Sequence, residues 1–366
     1  MLNHKSWKNF DFVLLLTTIL IFAIGLAFLY SATYQHSYKY RGLLPQSLLT
    51  RQLIWFFLGL LIGTVLIKVP YQKWLELAYP LYGLNFILLL LVLLMGSSRL
   101  GAQRWINFGH IAFQPSEFSK LVIILTLARY LGQRKNSSGG NKEIVISFLI
   151  VAAPFLLIVK QPDLGTALSL LPILFVLLYV WGARLRTLVL IFTALAASSP
   201  LLWQALKDYQ KRRIMVFLNP NMDPLGAGYT IIQSKIAIGS GGLFGKGWLA
   251  GTQNQLNFLP ERHTDFIFSV VGEEWGLIGA VLLLSLYIIL IWRGLSCAQG
   301  TSNSMARLLA CGVVILLAFQ VVINIAMTLG LVPVVGLPLP LISYGGSSLL
   351  TTMACIALLL NIAMRP

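Results

Sequence analysis

The sequence predicts an all-α polytopic membrane protein with about ten membrane-spanning helices. Of its 366 residues, 57% are hydrophobic and only 10% are charged, whereas about a quarter of the residues in soluble domains are charged. The mean hydropathy of +0.82 agrees with this composition. Apolar runs recur along the whole chain, and most are long enough to cross a hydrocarbon core of about 30 Å.

The apolar runs give the predicted order of spans. They are bounded by polar turns and begin near residues 12, 53, 78, 118, 144, 164, 187, 266, 308 and 343. The first run is too long for a signal-peptide core and lacks a small-residue cleavage site, so we expect it to remain as a span. Residues 1–366 then form a single membrane domain, within which residues 205–265 form a large extracytoplasmic loop between spans 7 and 8.

The distribution of basic residues predicts the orientation. A cytoplasmic N-terminus places the Lys and Arg residues of the short loops on one side of the membrane, and the C-terminus on that side too. Most of the formal net charge of +16 is therefore attributed to cytoplasmic loops and not to nucleic-acid binding. The predicted outer loop is also basic, which indicates an acidic ligand near the membrane surface.

The three cysteines indicate neither a disulfide framework nor a metal site. Cys311 and Cys355 lie within apolar runs, and Cys297 falls in a predicted short polar loop. Their spacing matches no metal-binding pattern. We interpret all three as packing residues.

Asp265 lies where the predicted outer loop meets an apolar run, in the stretch FLPERHTDFIFSVVGEEWG. Burial raises the pKa of a carboxyl group and neighbouring cations lower it, and a general base needs an intermediate value. The residues alone leave a second interpretation open, in which Thr264 or Asp265 caps the following helix. Glu273 and Glu274 lie deeper, so at least one is expected to face the protein interior or a hydrated cavity.

Three other polar motifs precede or follow predicted spans, and the first two allow two interpretations each. Glu117 and Lys120 are spaced to share one helical face, either as a structural ion pair or as the lining of a substrate cavity. Asp163 either caps the sixth span or adds a polar group to the outer face. In GLPLPLISYGGSSLL, small residues allow close helix packing and hydroxyl groups can satisfy freed backbone groups.

The basic run at residues 211–213 also allows two interpretations. It is either a solvated helix end or a site for an anionic head group, because Arg offers a planar fork suited to phosphate oxygens and Lys a point charge. Its predicted place on the outer side favours the head-group interpretation.

Taken together, the motifs resemble the SEDS family (shape, elongation, division and sporulation). The matching pieces follow the family order across nearly the whole chain: RWINFGHIAFQPSEFSK, QPDLGTAL, NPNMDPLGAGYTIIQSKIAIGSGGLFGKGW, FLPERHTDFIFSVVGEEWG and PLPLISYGGSSLL. The arginine in ERHTDF is more typical of the RodA branch than of the FtsW branch, although it is a single position.

The resemblance implies an inverting peptidoglycan glycosyltransferase of the C-type membrane fold. Such an enzyme joins lipid II units into an undecaprenyl-linked glycan strand on the outer face of the bacterial cytoplasmic membrane, with release of undecaprenyl pyrophosphate, for cell elongation and rod shape. By the same resemblance Asp265 corresponds to the essential aspartate and is the expected catalytic base. The candidate substrate-binding residues are Arg104, Glu117, Lys120, Asp163, Arg212, Arg213, Lys246, Arg262, His263 and Ser343.

The resemblance also implies partners. They are a class B penicillin-binding protein, which is a transpeptidase, and the elongation machinery. A divalent cation, Mg²⁺ or Mn²⁺, could share in neutralising the leaving group, although the sequence shows no dedicated ligand set. Two alternatives are a lipid II flippase, suggested by Glu117, Lys120, Glu273 and Glu274 at membrane depth, and a scaffold for the transpeptidase.

Overall fold

Helices account for most of the structure. The computed structural model describes residues 9–39, 45–99, 102–108, 111–134, 140–198, 200, 203–204, 208–224 and 226–365. The described α-helices are α1 (Phe12–Lys39), α2 (Pro45–Lys68), α3 (Tyr71–Glu76), α4 (Ala78–Met95), α5 (Pro115–Gly132), α6 (Asn141–Lys160), α7 (Leu164–Trp181), α8 (Leu185–Ala197), α9 (Asp208–Leu218), α10 (Ala227–Gly241), α11 (Thr252–Gln255), α12 (Ile267–Gly300), α13 (Ser304–Thr328) and α14 (Gly346–Ala363).

Eight of the described helices are long and apolar enough to cross a membrane: α1, α2, α4, α6, α7, α12, α13 and α14. The predicted fourth span corresponds to α5, which carries Glu117, Lys120 and Arg129. The predicted seventh span corresponds to α8, which is apolar but only 13 residues long. The prediction of a helical, multi-pass membrane protein is confirmed, and the count of ten spans stays a prediction.

The centre of the bundle is formed by α5, α13 and α14. Most side chains of these helices are buried, and α13 packs against α5, α7, α12 and α14. The outer helices instead expose large apolar side chains, such as Phe57 on α2 and Leu94 on α4. An apolar surface of this kind is suited to lipid, and the buried centre holds the polar residues described below.

A small antiparallel sheet precedes α5 and was not predicted. Its strands are β1 (Ser97–Arg99), β2 (Ala102–Phe108) and β3 (Ile111–Phe113), in the order β1-β2-β3. The strands are short, so their alternating pattern is brief and sequence reasoning treated the segment as a loop. The sheet matters for the site because β2 carries Arg104.

The predicted outer loop is largely ordered structure. In NPNMDPLGAGYTIIQ, Asn219 accepts a hydrogen bond from the Asn221 amide at 3.2 Å, and a 3₁₀ turn at Pro220–Met222 leads towards α10. Helix α10 packs against α12. Residues 205–207 and 225 lie outside the described residues, and the boundaries of the loop stay a prediction.

The position predicted for Cys297 was wrong. Cys297 lies inside α12 and is buried, because α12 continues for 34 residues, well beyond the length needed to cross a hydrocarbon core. Cys355 is buried, Cys311 is half-buried, and all three are free thiols. Their burial supports the interpretation as packing residues.

Candidate active site

A polar cavity of about 450 Å³ lies where β2 and the segments before α5, α7 and α12 meet the segment before α14. Five predicted site residues line it: Arg104, Glu117, Asp163, Arg213 and Asp265. Its other lining residues are Trp105, Gln114, Thr166, Glu261, Thr264, Val335, Gly336, Pro338, Tyr344, Gly345, Ser347 and Ser348. Sequence reasoning did not select these, because they are neutral or lie beside residues with a stronger signal.

The backbone just before α12 is held by the segment that precedes α14. Ser343 Oγ donates to the Thr264 carbonyl at 2.6 Å and accepts from the Leu339 amide at 2.8 Å. The Tyr344 amide donates to the His263 carbonyl at 2.9 Å. Ser343, predicted as a substrate contact, therefore fixes the backbone of the site.

Asn324 holds the backbone carbonyl of Asp265. Its Nδ2 donates to the Asp265 carbonyl at 3.0 Å and to the Leu337 carbonyl at 2.7 Å. Gly336 adjoins this contact with φ +72°, and a Cβ there would lie 3.3 Å from Asp265 Oδ2. The site thus needs a glycine at this position. Sequence reasoning missed Asn324, although an amide within an apolar run is a usable signal.

The Asp265 carboxyl group lines the cavity and does not cap a helix. The N-cap of α12 is Phe266, without a side-chain hydrogen bond, so the capping role considered for Thr264 or Asp265 is wrong. Burial raises the pKa of Asp265 to about 6; Glu261 adds to the rise, whereas Arg213 and Arg104 oppose it. A carboxylate with this pKa is mostly ionised at neutral pH and still basic enough to accept a proton.

Asp163 caps a helix and also lines the cavity, while its predicted place on the outer face stays a prediction. Its Oδ1 accepts from the Thr166 amide at 3.4 Å, which caps α7. Its Oδ2 accepts from Gln114 Nε2 at 2.9 Å and from Ser116 Oγ at 3.0 Å. Arg104 Nη1 lies 3.7 Å from Oδ1. The cap therefore fixes a carboxylate that also positions Arg104 at the cavity.

Glu117 and Lys120 form a buried ion pair at the edge of the cavity. Lys120 Nζ lies 2.7 Å from Glu117 Oε2, and the Lys120 side chain is 0% exposed. Only Glu117 of the pair lines the cavity. The structural interpretation thus fits Lys120, and the cavity-lining interpretation fits Glu117.

The two adjacent arginines of α9 differ in their surroundings. Arg212 is 69% exposed and pairs with Asp223 at 3.1 Å, away from the cavity lining. Arg213 lines the cavity, and its Nη1 donates to the Val334 carbonyl at 3.3 Å. Among the residues that the structure describes, no carboxylate lies within ion-pair distance of Arg213.

Two predicted contacts beside Asp265 in sequence lie outside the lining of the cavity. Arg262 is buried and donates to the carbonyls of Ala32 at 2.7 Å and Asn254 at 2.8 Å. The His263 ring lies 6.1 Å from the Tyr344 ring, centre to centre. Arg262 therefore ties its loop to α1, and contact of either residue with substrate stays a prediction.

Lys246 belongs to a separate polar group, the Glu273 cluster, formed by Glu273, Lys246, Thr252, Gln253 and Asn254. Glu273 accepts from Lys246 Nζ at 2.9 Å and from Thr252 Oγ1 at 3.1 Å. It also accepts from the amides of Gln253 at 2.9 Å and Asn254 at 3.2 Å. These four bonds anchor the loop containing α11 to α12.

Helix α12 is broken at Gly276, which has φ +63°. Glu274, two residues before the break, accepts hydrogen bonds from Ser31 Oγ and from Asn254 Nδ2. The loop after α10 satisfies the backbone groups that the break frees. The bonds run from the Lys246 amide to the Glu273 carbonyl (3.0 Å), from Gly247 to Glu274 (3.0 Å), from Leu277 to Gly242 (2.9 Å) and from Ile278 to Leu243 (3.2 Å).

The side chains that line the cavity decide how it could hold a divalent cation. Within the described part of the chain, no group of three or more His, Cys, Asp or Glu side chains could hold a metal ion. The lining nevertheless contains four carboxylates and two guanidinium groups. Mg²⁺ commonly takes one or two carboxylates together with substrate phosphates. The residues present fit that mode and not an all-protein metal site.

Comparison with protein families and curated proteins gives a consistent result. Residues 11–366 match the FtsW/RodA/SpoVE family of cell cycle proteins. The peptidoglycan glycosyltransferase MrdB of Escherichia coli K12 is 47% identical over 83% of this chain and 82% of its own length. The peptidoglycan glycosyltransferase RodA of Treponema pallidum is 33% identical over 99% of both chains. Stage V sporulation protein E of Bacillus subtilis is 38% identical over 96% of both.

Solved structures share the fold over almost the whole chain. A chain from a study of how a peptidoglycan synthase complex coordinates polymerization and crosslinking superposes with a TM-score of 0.82, at 39% identity and 97% coverage of both chains. The rod shape determining protein RodA of Thermus thermophilus gives a TM-score of 0.72, at 34% identity, covering 97% of this chain and 96% of that one.

Proposed function

The chain belongs to the FtsW/RodA/SpoVE family of cell cycle proteins, and from this premise we propose that it is a peptidoglycan glycosyltransferase that polymerises lipid II for cell elongation. The family resemblance predicted from the sequence is confirmed. One observation carries the proposal for the site: the Asp265 carboxylate lines the same cavity as the guanidinium groups of Arg104 and Arg213.

Asp265 acts as the general base. Its carboxylate accepts the proton of the acceptor sugar's 4-hydroxyl group as that oxygen attacks the anomeric carbon of the donor. The new glycosidic bond forms while the bond from the anomeric carbon to the pyrophosphate oxygen breaks, with inversion, and the electron pair leaves with undecaprenyl pyrophosphate. A pKa of about 6 supports this role because the group is ionised at pH 7.

Arg104 and Arg213 stabilise the leaving pyrophosphate. Fixed donors directed at developing charge are among the largest contributions to catalysis. The Arg104 Nε is buried and has no hydrogen-bond partner among the described residues. Arg213 likewise has no described carboxylate within ion-pair distance. Both cations therefore retain capacity for an anionic ligand.

A divalent cation, if bound in the cavity, would supply charge neutralisation at the pyrophosphate. The cavity lining holds more carboxylates than guanidinium groups, so an entering pyrophosphate adds negative charge to a site already rich in it. Asp163 and Glu261 are the lining carboxylates of suitable chemistry to share such an ion with the phosphates.

The enzyme works in the bacterial cytoplasmic membrane with the cavity on the outer side and both termini in the cytoplasm. The positions of basic residues in the short loops support this orientation. A class B penicillin-binding protein is its partner. The structural likeness to a chain of a complex that coordinates polymerization and crosslinking supports that pairing.

The flippase alternative draws less support. It relied on Glu117, Lys120, Glu273 and Glu274 as the lining of a transit path through the membrane. Glu273 is instead fully buried and accepts four hydrogen bonds from its own loop. Of the four residues, only Glu117 lines the polar cavity. Scaffolding of the transpeptidase is compatible with catalysis and needs no separate site.

The test is polymerisation of purified lipid II in the presence of the partner. Asp265→Asn keeps the shape of the side chain and removes the base, so we expect a rate loss of about 10² to 10⁴-fold. Asp208→Asn, the same change at an exposed residue at the start of α9, is the matched control and should polymerise at the wild-type rate. Retained activity in Asp265→Asn would exclude Asp265 as the base.

A further inference from the structure

A second, apolar cavity adjoins the polar one. It has a volume of about 240 Å³ and lies between α7, α9, α13 and the segment 332–337. Its apolar lining includes Leu164, Leu168, Ile214, Phe319 and Ile323. Its volume is below the usual range of about 300–1,000 Å³ for pockets that enclose a drug-sized ligand. It therefore suits one end of a longer apolar chain.

Arg213 and Val335 line both cavities. The Arg213 guanidinium thus lies at the boundary between a polar space that contains Asp265 and an apolar space. Leu168, another lining residue of the apolar pocket, is 39% exposed, so the pocket extends to the outer surface of the bundle. An apolar chain that begins at Arg213 can therefore continue through the pocket towards that surface.

A polar cavity, a cationic side chain and an apolar pocket in this order match one class of molecule. A sugar linked to a polyprenyl diphosphate consists of a polar sugar, an anionic diphosphate and an apolar chain, in that sequence. The polar cavity, Arg213 and the apolar pocket occur in the same sequence. Arginine suits the middle position because its planar fork binds phosphate oxygens with two parallel hydrogen bonds.

The reaction chemistry then distinguishes the two substrates. In the donor, the diphosphate is attached to the carbon that reacts. In the acceptor, the reacting 4-hydroxyl group and the diphosphate lie at opposite ends of a disaccharide. Arg213 and Asp265 line the same polar cavity. A diphosphate held by Arg213 is therefore near the reacting centre, as the donor's must be.

We propose that the apolar pocket binds the first isoprene units of the donor, with Arg213 on its diphosphate. This assignment rests on the proposed function and adds the side from which the donor and the leaving polyprenyl diphosphate enter and depart. The apolar groove between α1, α2 and α14, with Leu60 and Met353, shares no lining residue with the polar cavity. It is the natural competing site for an isoprenoid chain.

The experiment is photolabelling of the full-length protein with farnesyl diphosphate that carries a diazirine on its chain, followed by peptide mapping. We expect label on α7, α9, α13 or residues 332–337, and loss of that label when excess inorganic pyrophosphate is added. Label confined to the groove that contains Met353, or label that pyrophosphate does not displace, would overturn the proposal.

Two variants fill the pocket from opposite walls. Ile323→Trp and Leu168→Trp should each reduce specific labelling about tenfold, because a blocked isoprene unit loses the burial of several methylene groups. Val322→Trp is the matched control: it is the neighbouring residue on α13, is 62% exposed and lies outside the pocket lining. Equal labelling of all three variants would also contradict the proposal.

The readout separates this proposal from the proposed function. Labelling measures binding and does not require turnover, so it can be carried out in Asp265→Asn. If Asp265→Asn still polymerised lipid II, the base assignment would fail whatever the label showed. If Asp265→Asn were inactive and the label lay elsewhere, the pocket assignment alone would fail. Thermal unfolding of each variant confirms that the labelled protein is folded.

Discussion

Asp265 and Glu273 lie in one short stretch of sequence, yet their carboxyl groups have opposite surroundings. Glu273 is fully buried and accepts hydrogen bonds from Lys246, Thr252 and two backbone amides. Asp265 is only partly buried, lines a 450 Å³ cavity, and is held through its backbone carbonyl by Asn324.

The difference shows how structural and chemical acids can be told apart in a membrane protein. A buried carboxylate costs free energy unless donors satisfy it, and Glu273 is satisfied by its own loop. Asp265 retains free capacity to accept a proton or a hydrogen bond from something that enters the cavity. The Glu273 cluster therefore stabilises the fold, and the cavity has the surroundings expected of the proposed active site.

Substitution of Arg213 in the cavity and of Lys246 in the Glu273 cluster should give the largest difference in polymerisation rate. Arg213→Gln should slow polymerisation by about 10² to 10³-fold, because it removes a fixed donor for the leaving group. Lys246→Gln should leave the rate per folded enzyme unchanged, because Lys246 serves Glu273. Arg212→Gln, next in sequence to Arg213 but exposed, is the matched control in the same lipid II assay. Equal losses at residues 212 and 213 would remove the distinction between them.

The second test concerns Glu273 itself. Glu273→Gln should lower the free energy of unfolding by about 2 to 3 kcal/mol, because it leaves Lys246 and the loop amides without their charged acceptor. This loss is smaller than the loss expected on breaking a fully buried ion pair, because Lys246 is 26% exposed. Denaturant unfolding in detergent measures it, with the polymerisation rate per folded molecule as the companion measurement. A stable but inactive Glu273→Gln would place Glu273 in the chemistry.

The same type of substitution at Asp265 should raise the free energy of unfolding. The pKa of Asp265 is raised from its ordinary value of 3.8 to about 6 in the folded protein, so ionisation above pH 6 opposes folding. Asp265→Asn removes that cost and should stabilise the protein by up to about 3 kcal/mol at pH 8. This gain in stability should shrink as the pH falls from 6 towards 4, because the carboxyl group of the native protein takes up a proton over that range. Thermal unfolding at pH 8, 6 and 5 measures it; a destabilised variant at pH 8 would contradict the raised pKa.

The pH dependence of the rate is the smallest expected effect. Below about pH 6, kcat/KM should fall about tenfold per pH unit as Asp265 becomes protonated and loses its capacity as a base. The Glu273→Gln variant should show the same midpoint, since Glu273 is outside the cavity. A midpoint that moved with this substitution would show that the two regions are coupled.

Much of the fold was predictable from the sequence because lipid imposes a simple rule. Backbone groups in a bilayer must be satisfied within the segment, so long apolar runs become helices. The charged α5 was also located near its predicted start at residue 118. The sheet containing β2 was missed because its order comes from pairing between short strands. The break at Gly276 was missed because its hydrogen-bond partners lie about 30 residues earlier in the chain.

The site was predictable in part, for a related reason. Charged residues are conspicuous in a mostly apolar chain, and five of those predicted for the site line the cavity. The sequence did not show which charged residues would line the cavity. Arg212 and Arg213 are adjacent and chemically identical, but only Arg213 lines it. Which side of α9 packs inward depends on tertiary contacts. The positioning role of Asn324 likewise depends on bonds to Asp265 and Leu337, which are distant in sequence.

The break in α12 has a consequence for how the protein can be divided. Four hydrogen bonds join the loop at residues 242–247 to the backbone on both sides of Gly276. Each unsatisfied backbone group in a bilayer costs several kcal/mol. The loop is thus part of the span's own hydrogen-bonding scheme. Exchange of residues 242–247 between relatives has to include the matching stretch of α12, so the smallest interchangeable unit spans both.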